Sequence, residues 1–176
     1  MAKLSAKLEA EISGRLLKHW HEAVPSDRMA HLIKDTMRSF HRSLQARLAL
    51  HGVSLGHWTF LRILWERDGI TQRELSQEAG VMEPTTLNAL RSMEALGYVT
   101  RERLEGNRKN NYVFLTPVGK ALRRKLVPLA EQVNALAVAE LEPEDVATTR
   151  RCLLVMLDNL ARDELLGGEE MTEGDA

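Results

Sequence analysis

Gly69-Ile-Thr-Gln-Arg-Glu-Leu-Ser-Gln-Glu-Ala-Gly80 runs directly into Val81-Met-Glu-Pro-Thr-Thr-Leu-Asn-Ala-Leu-Arg-Ser-Met-Glu-Ala-Leu-Gly97, and the punctuation of this stretch decides the fold. Thr71 and Glu74 stand at capping-box spacing, in which a hydroxyl and a carboxylate satisfy each other's backbone donors at a helix start. Ile70 and Leu75 are placed to staple that start. Gly80 closes the short helix, because glycine accepts the left-handed conformation that follows a helix C-terminus. Pro84 sits where a first turn tolerates it, and a second helix runs from about Glu83 to Leu96 before the stop at Gly97. Two short helices joined by a tight turn make a helix-turn-helix, whose second member suits a DNA major groove.

On that second helix Leu87, Leu90 and Met93 recur near a spacing of three and predict the buried stripe. The opposite side offers Pro84, Thr85, Asn88, Arg91 and Ser92. Short hydroxyls, an amide and a guanidinium can bond phosphates or base edges, with Asn to adenine and Arg to guanine favoured by groove geometry. After Gly97, the alternating run Tyr98–Leu104, the polar Glu105–Asn110 and the run Asn111–Leu115 predict a β-hairpin. Its arm and tip carry Arg101, Arg103, Arg108 and Lys109 against Glu102 and Glu105, a balance of 4 − 2 = +2. Such a hairpin beside a helix-turn-helix suits phosphate or a minor groove. The expected DNA-facing set is Thr71, Gln72, Pro84, Thr85, Thr86, Asn88, Arg91, Arg101, Arg103, Arg108 and Lys109.

Met93-Glu-Ala-Leu-Gly-Tyr-Val99 resembles the exit from the recognition helix in the MarR family of transcriptional regulators, and Leu115-Thr-Pro-Val-Gly119 is similar to that family's next helix start. Where the family usually carries Asp-Arg-Arg at the wing tip, this chain has Asn107-Arg108-Lys109, and a lysine supplies no bidentate fork. The resemblance spans roughly residues 28–165. It implies a mainly α protein: a winged helix-turn-helix DNA-binding domain with a small β-hairpin wing, and a helical dimerisation domain. It further implies a homodimer, joined through the first and last helices, on a pseudo-palindromic double-stranded operator. Its DNA affinity would respond to a small molecule, such as an aromatic carboxylate or its coenzyme A thioester, bound where the dimerisation helices meet the winged lobe. Candidate effector contacts are Trp20, Arg38, His41, His57, Trp58 and Arg62.

The remaining sequence fits that plan. Ser26 or Asp27 can cap a helix to about Leu50, with Met29, Leu32, Ile33, Met37, Phe40, Leu44 and Leu48 along one face. A helix after Ser54 is apolar on more than one side and belongs at the centre. Thr116-Pro117 opens a long helix toward Leu141 that contains Pro128, and Pro143 opens the last helix. The domains expected are residues 1–25 as an N-terminal helical extension, 26–54 with 117–166 as the dimerisation region, 55–116 as the winged domain, and 167–176 as an acidic, disordered tail. Leu4, Leu8, Ile12, Leu16 and Trp20 make the extension amphipathic, either as further dimer surface or as a lid over an effector pocket.

The chain's net charge is −1, yet residues 71–125 hold ten Arg/Lys and six Asp/Glu, so 10 − 6 = +4 there. A local basic surface fits docking through one face. The sequence has neither the apolar core of a signal peptide nor a run of membrane length, so a cytoplasmic protein is expected. The lone Cys152 cannot form an intramolecular disulfide and is expected to be packed in the last helix. No phosphate loop, H-E-x-x-H or nucleophile elbow is present, which points away from an enzyme, and no cofactor is expected. The six histidines lack metal-site spacing. Two other functions stay open: a winged helix used as a protein-interaction module, and a metal- or redox-responsive switch.

Overall fold

The computed structural model describes residues 29–104 and 107–173, with side chains at 29–104 and 110–164. The expected extension with Trp20, the cap at Ser26 or Asp27, and the Arg108 and Lys109 side chains lie outside these residues. The elements are α1 (Met29–Ala49), α2 (Leu55–Glu66), β1 (Ile70–Thr71), α3 (Gln72–Ala79), α4 (Glu83–Ala95), β2 (Val99–Leu104), β3 (Asn107–Leu115), α5 (Pro117–Ala137) and α6 (Pro143–Glu173). One compact unit ends at Val133 and a second begins at Asn134.

Within the first unit α2 is central. Ser54 caps it by accepting from the His57 N–H at 3.1 Å. The Gln45 carboxamide oxygen accepts from the Leu55 N–H at 2.7 Å, which ties the end of α1 to the start of α2. Trp58, Phe60, Leu61 and Leu64 are buried on α2, and they pack with Leu48, Leu75, Leu90, Met93, Val113 and Leu126 from the surrounding elements. Each such leucine contributes about 1.5–3 kcal/mol by leaving water. The helix therefore holds five other elements in one core.

The sheet has three antiparallel strands in the order β1-β3-β2. Val99 pairs with Leu115 and Arg101 with Val113, while Ile70 on the far side also pairs with Val113. A register shift between Glu102 and Leu104 bends the outer arm. The hairpin was expected and the third strand was not. Two residues are too short to show alternation, and only the free edge of β3 makes Ile70–Thr71 a strand.

Other differences have local causes. On α4 the fully buried residues are Thr86, Leu90 and Met93, with Leu87 half-buried, so the stripe is rotated from the expected one. Helix α5 stops at Ala137 and not near Leu141, where tight turns from Leu136 to Ala139 and from Val138 to Leu141 take over. Pro128 lies inside the helix and removes one backbone donor. Helix α6 continues to Glu173, into the segment expected as a disordered tail. Residues 167–173 contain no proline, and their three glutamates lose little side-chain freedom in a helix.

Where α4, β2 and α5 converge, the chain is tightly fitted. The Thr116 hydroxyl donates to the Gly97 carbonyl at 2.6 Å and accepts from the Gly119 N–H at 3.1 Å. The Trp65 indole N–H donates to the Gly119 carbonyl at 2.9 Å. A Cβ built on Gly119 would stand 2.1 Å from the Tyr98 carbonyl oxygen, a backbone atom that cannot rotate away. Gly119→Ala is therefore expected to lower unfolding stability by about 1–3 kcal/mol. A denaturant midpoint equal to that of the parent protein would refute this.

Candidate nucleic-acid interface

The first helix of the motif is built as its sequence predicts. The Thr71 hydroxyl accepts from the Glu74 N–H at 3.2 Å, and the Glu74 carboxylate accepts from the Thr71 N–H at 2.8 Å. The Thr71 hydroxyl also lies 2.6 Å from that carboxylate. These bonds hold the Glu74 carboxyl below its ordinary pKa range, with Arg67 adding to the effect. Gly80 takes φ +63°, in the left-handed region, and ends α3. The Ser76 hydroxyl, nearly buried, donates to the Val81 carbonyl at 2.6 Å and so stitches the turn between α3 and α4. That bond went unpredicted, although a serine inside a short helix before a glycine stop is a usable signal for it.

Helix α4 presents Pro84, Thr85, Asn88, Arg91 and Ser92 to solvent. Among the described residues Thr85, Asn88 and Arg91 have no side-chain partner, which leaves their polar groups available. Three members of the expected DNA-facing set are placed otherwise. Thr86 is fully buried and its hydroxyl points back to the Met82 carbonyl at 3.5 Å, so it belongs to the core. The Thr71 side chain is committed to its cap. Arg101 is ion-paired with Glu94 at 2.6 Å, with side-chain exposures of 22% and 31%. Gln72 is half-buried and its carbonyl oxygen lacks a partner among the described residues. Arg103 stays exposed on the wing arm and bonds Asn111 at 3.3 Å.

The expected effector residues divide. Arg38 and His41 share a groove of about 670 Å³ on α1 with Lys34, Met37, Arg42, Gln45, Ala46 and Leu55. Lys34 and Arg42 were missed, although Lys34, Arg38 and Arg42 recur every four residues and so share one helical face. Trp58 does not line the groove. It is buried in the core, with its ring edge-on to Trp65 at 5.6 Å. Arg62 is exposed on α2 and also lies outside the groove. His57 stands against Tyr98, ring centroids 6.3 Å apart, and its Nδ1 is buried without a partner among the described residues. Burial pushes the His57 pKa below its ordinary value of 6.5. Among the described residues no three His, Cys, Asp or Glu side chains gather as a metal site, and no helix is long and apolar enough to cross a membrane. Cys152 is half-buried on α6.

A helix pair whose first member is capped, an outward polar face on the second and an antiparallel hairpin beside it define a winged helix-turn-helix. The sequence model of the MarR family matches residues 53–110. The HTH-type transcriptional regulator TtmR of Methylorubrum extorquens (strain PA1) is 31% identical over 137 residues, covering 77% of this chain and 66% of that protein. This chain thus spans just under two thirds of that regulator's length. Among solved structures, the transcriptional regulator PA3341 matches with a TM-score of 0.66 at 30% identity, over 76% of this chain and 98% of that one. A MarR family regulator from Listeria monocytogenes, solved in complex with a 26mer DNA, shares the fold with a TM-score of 0.69 at 20% identity, over 84% of this chain and 96% of that one. The chain belongs to the MarR family of DNA-binding transcriptional regulators.

The depressed His57 pKa has a defined sign. As pH falls below 6.5 the unfolded chain takes up the proton before the folded one does, so stability is present above that value and declines below it. Melting temperatures at about pH 7.5 and about pH 5.5 should differ less in His57→Phe than in the parent protein. Equal losses in both would remove His57 as the source.

Proposed function

We propose that this regulator is a homodimeric repressor that sits on a pseudo-palindromic operator and is released by a small aromatic carboxylate or its coenzyme A thioester. The observation that carries the DNA-reading part is the outer face of α4, where Thr85, Asn88 and Arg91 stand exposed and, among the described residues, unpartnered. Asn88 and Arg91 suit base edges, Thr85 suits a base edge or phosphate, and Arg108 and Lys109 at the wing tip suit backbone or a minor groove. That the Listeria regulator of the same fold was solved in complex with a 26mer DNA supports DNA as the partner.

Dimerisation is supported by apolar surface that each unit leaves in water. Helix α1 exposes Met29, Leu32, Ile33 and Met37, and α6 exposes Leu153, Leu154, Leu157 and Leu160. A two-fold related copy is the commonest way to cover such faces. It would set two recognition helices about 10 bp apart, or a multiple of that spacing. Such a dimer over a promoter blocks polymerase, and that target places it in the cytoplasm.

The groove on α1 supports the effector reading. Lys34, Arg38, His41 and Arg42 supply donors for an anion, while Met37, Ala46 and Leu55 supply apolar wall. Among the described residues no acidic side chain lines it. A ligand that prefers a dimer with mis-spaced recognition helices lowers DNA affinity by its differential binding, commonly ~1–3 kcal/mol.

Gel shifts on a duplex enriched by the protein from a random pool test the DNA part. Asn88→Ala should change the ranking of duplexes. Arg108→Ala should weaken all of them and lower the salt slope by about one. If neither variant differs from the parent, these contacts are misassigned. For the effector, salicylate-like acids and aryl-CoA thioesters should release DNA from the parent protein and fail to release it from Arg38→Ala. Absence of both thermal shift and release with either ligand class would discard the groove.

A further inference from the structure

Glu94 stands where two arginines compete for one carboxylate. It lies in the last turn of α4, three residues beyond Arg91, and side chains three apart on a helix are neighbours. Its carboxylate nevertheless accepts from the Arg101 guanidinium at 2.6 Å, across the Gly97 turn, and Arg91 is left without a partner among the described residues. Both members of the pair are more than two-thirds shielded from water, so salt screens them less than it would a surface pair.

The position explains the choice. Helix α4 has no basic residue in its own last turn, where the free carbonyl ends concentrate negative charge. Arg101 delivers the missing cation from strand β2. Its Nε is buried without a partner, so Glu94 is the only acceptor holding the guanidinium among the described residues. The pair spans from the recognition helix to the root of the wing.

We propose that Glu94 sorts the two arginines: it retains Arg101 as a brace between α4 and β2, and thereby leaves Arg91 free for DNA. The inference rests on the DNA-binding reading of α4. Arg101 is then a positioning residue and makes no contact with the duplex. Removing it hands the Glu94 carboxylate to Arg91, which both neutralises a DNA-facing cation and sets an acid beside phosphate.

The test uses the full chain, the duplex it enriches from a random pool, and a scrambled duplex of the same length. Arg101→Met should weaken binding to the enriched duplex about tenfold or more, as one charge-assisted contact is lost. Adding Glu94→Gln to that variant should restore most of the loss, because Arg91 is released again. A direct phosphate role for Arg101 predicts no recovery, and so does a purely structural role. Either result overturns the proposal. Glu94→Gln alone covers the case in which Arg101→Met does not fold. It should strengthen binding to the scrambled duplex and steepen the salt dependence by about one, as Arg101 turns to phosphate. An unchanged slope also overturns it. If the parent protein enriches no duplex, the DNA reading of α4 fails and this inference falls with it. If enrichment succeeds and only the variant pattern fails, the sorting role alone is lost.

Discussion

The Thr116 hydroxyl, the Gly119 backbone and the Tyr98 carbonyl meet in a space that admits no side chain at position 119. The Thr116 N–H donates to the Tyr98 carbonyl at 3.1 Å while its hydroxyl serves the Gly97 carbonyl, so one residue satisfies the exit turn of the recognition helix and begins α5. Asp68 accepts from the Leu115 N–H at 2.8 Å and pairs with Lys120 at 3.0 Å, which ties the loop before β1 to the same point. The Thr116 backbone and hydroxyl, with the Asp68 carboxylate, thus tie the exit of α4, the end of β3 and the start of α5 at one point.

Charge in the winged lobe follows a consistent arrangement. Glu66 pairs with Arg123, Glu74 and Glu78 with Arg67, Asp68 with Lys120 and Glu94 with Arg101. These pairs are at least partly exposed and each contributes little to stability. Their larger effect is on the field. They absorb acids that would otherwise oppose a polyanion, and Arg73, Arg91, Arg124 and Lys125 remain without partners among the described residues. A chain with a net charge of −1 can thus present a basic face. Residue counts locate the charge along the sequence, and the ion pairs decide which part of it acts outward.

Much of the framework was legible in advance, for reasons that can be traced to particular residues. The Thr71–Glu74 box, the Gly80 and Gly97 stops, the Ser54 cap and the Pro117 start are decided by bonds between residues a few positions apart. Local chemistry of that kind is written in local sequence. The outer face of α4 was legible too, because Asn88 and Arg91 share a side of the helix three residues apart.

What sequence could not settle depended on what lies opposite each side chain. Thr86 and Leu87 are adjacent, and hydrophobicity alone buries Leu87. The direction from which α2 and α3 approach α4 buries Thr86 instead, and its hydroxyl falls back on the Met82 carbonyl. Trp58, expected at an effector site, packs against Trp65 in the core. Arg101, expected to face phosphate, is held by Glu94 at 2.6 Å. Sequence alone determined where helices start and stop and which side of α4 is polar, since those follow from near-neighbour bonds and a fixed 3.6-residue period. Only the tertiary structure decided which polar groups are spent inside the lobe and which remain for DNA, because a side chain's partner is set by distance in space.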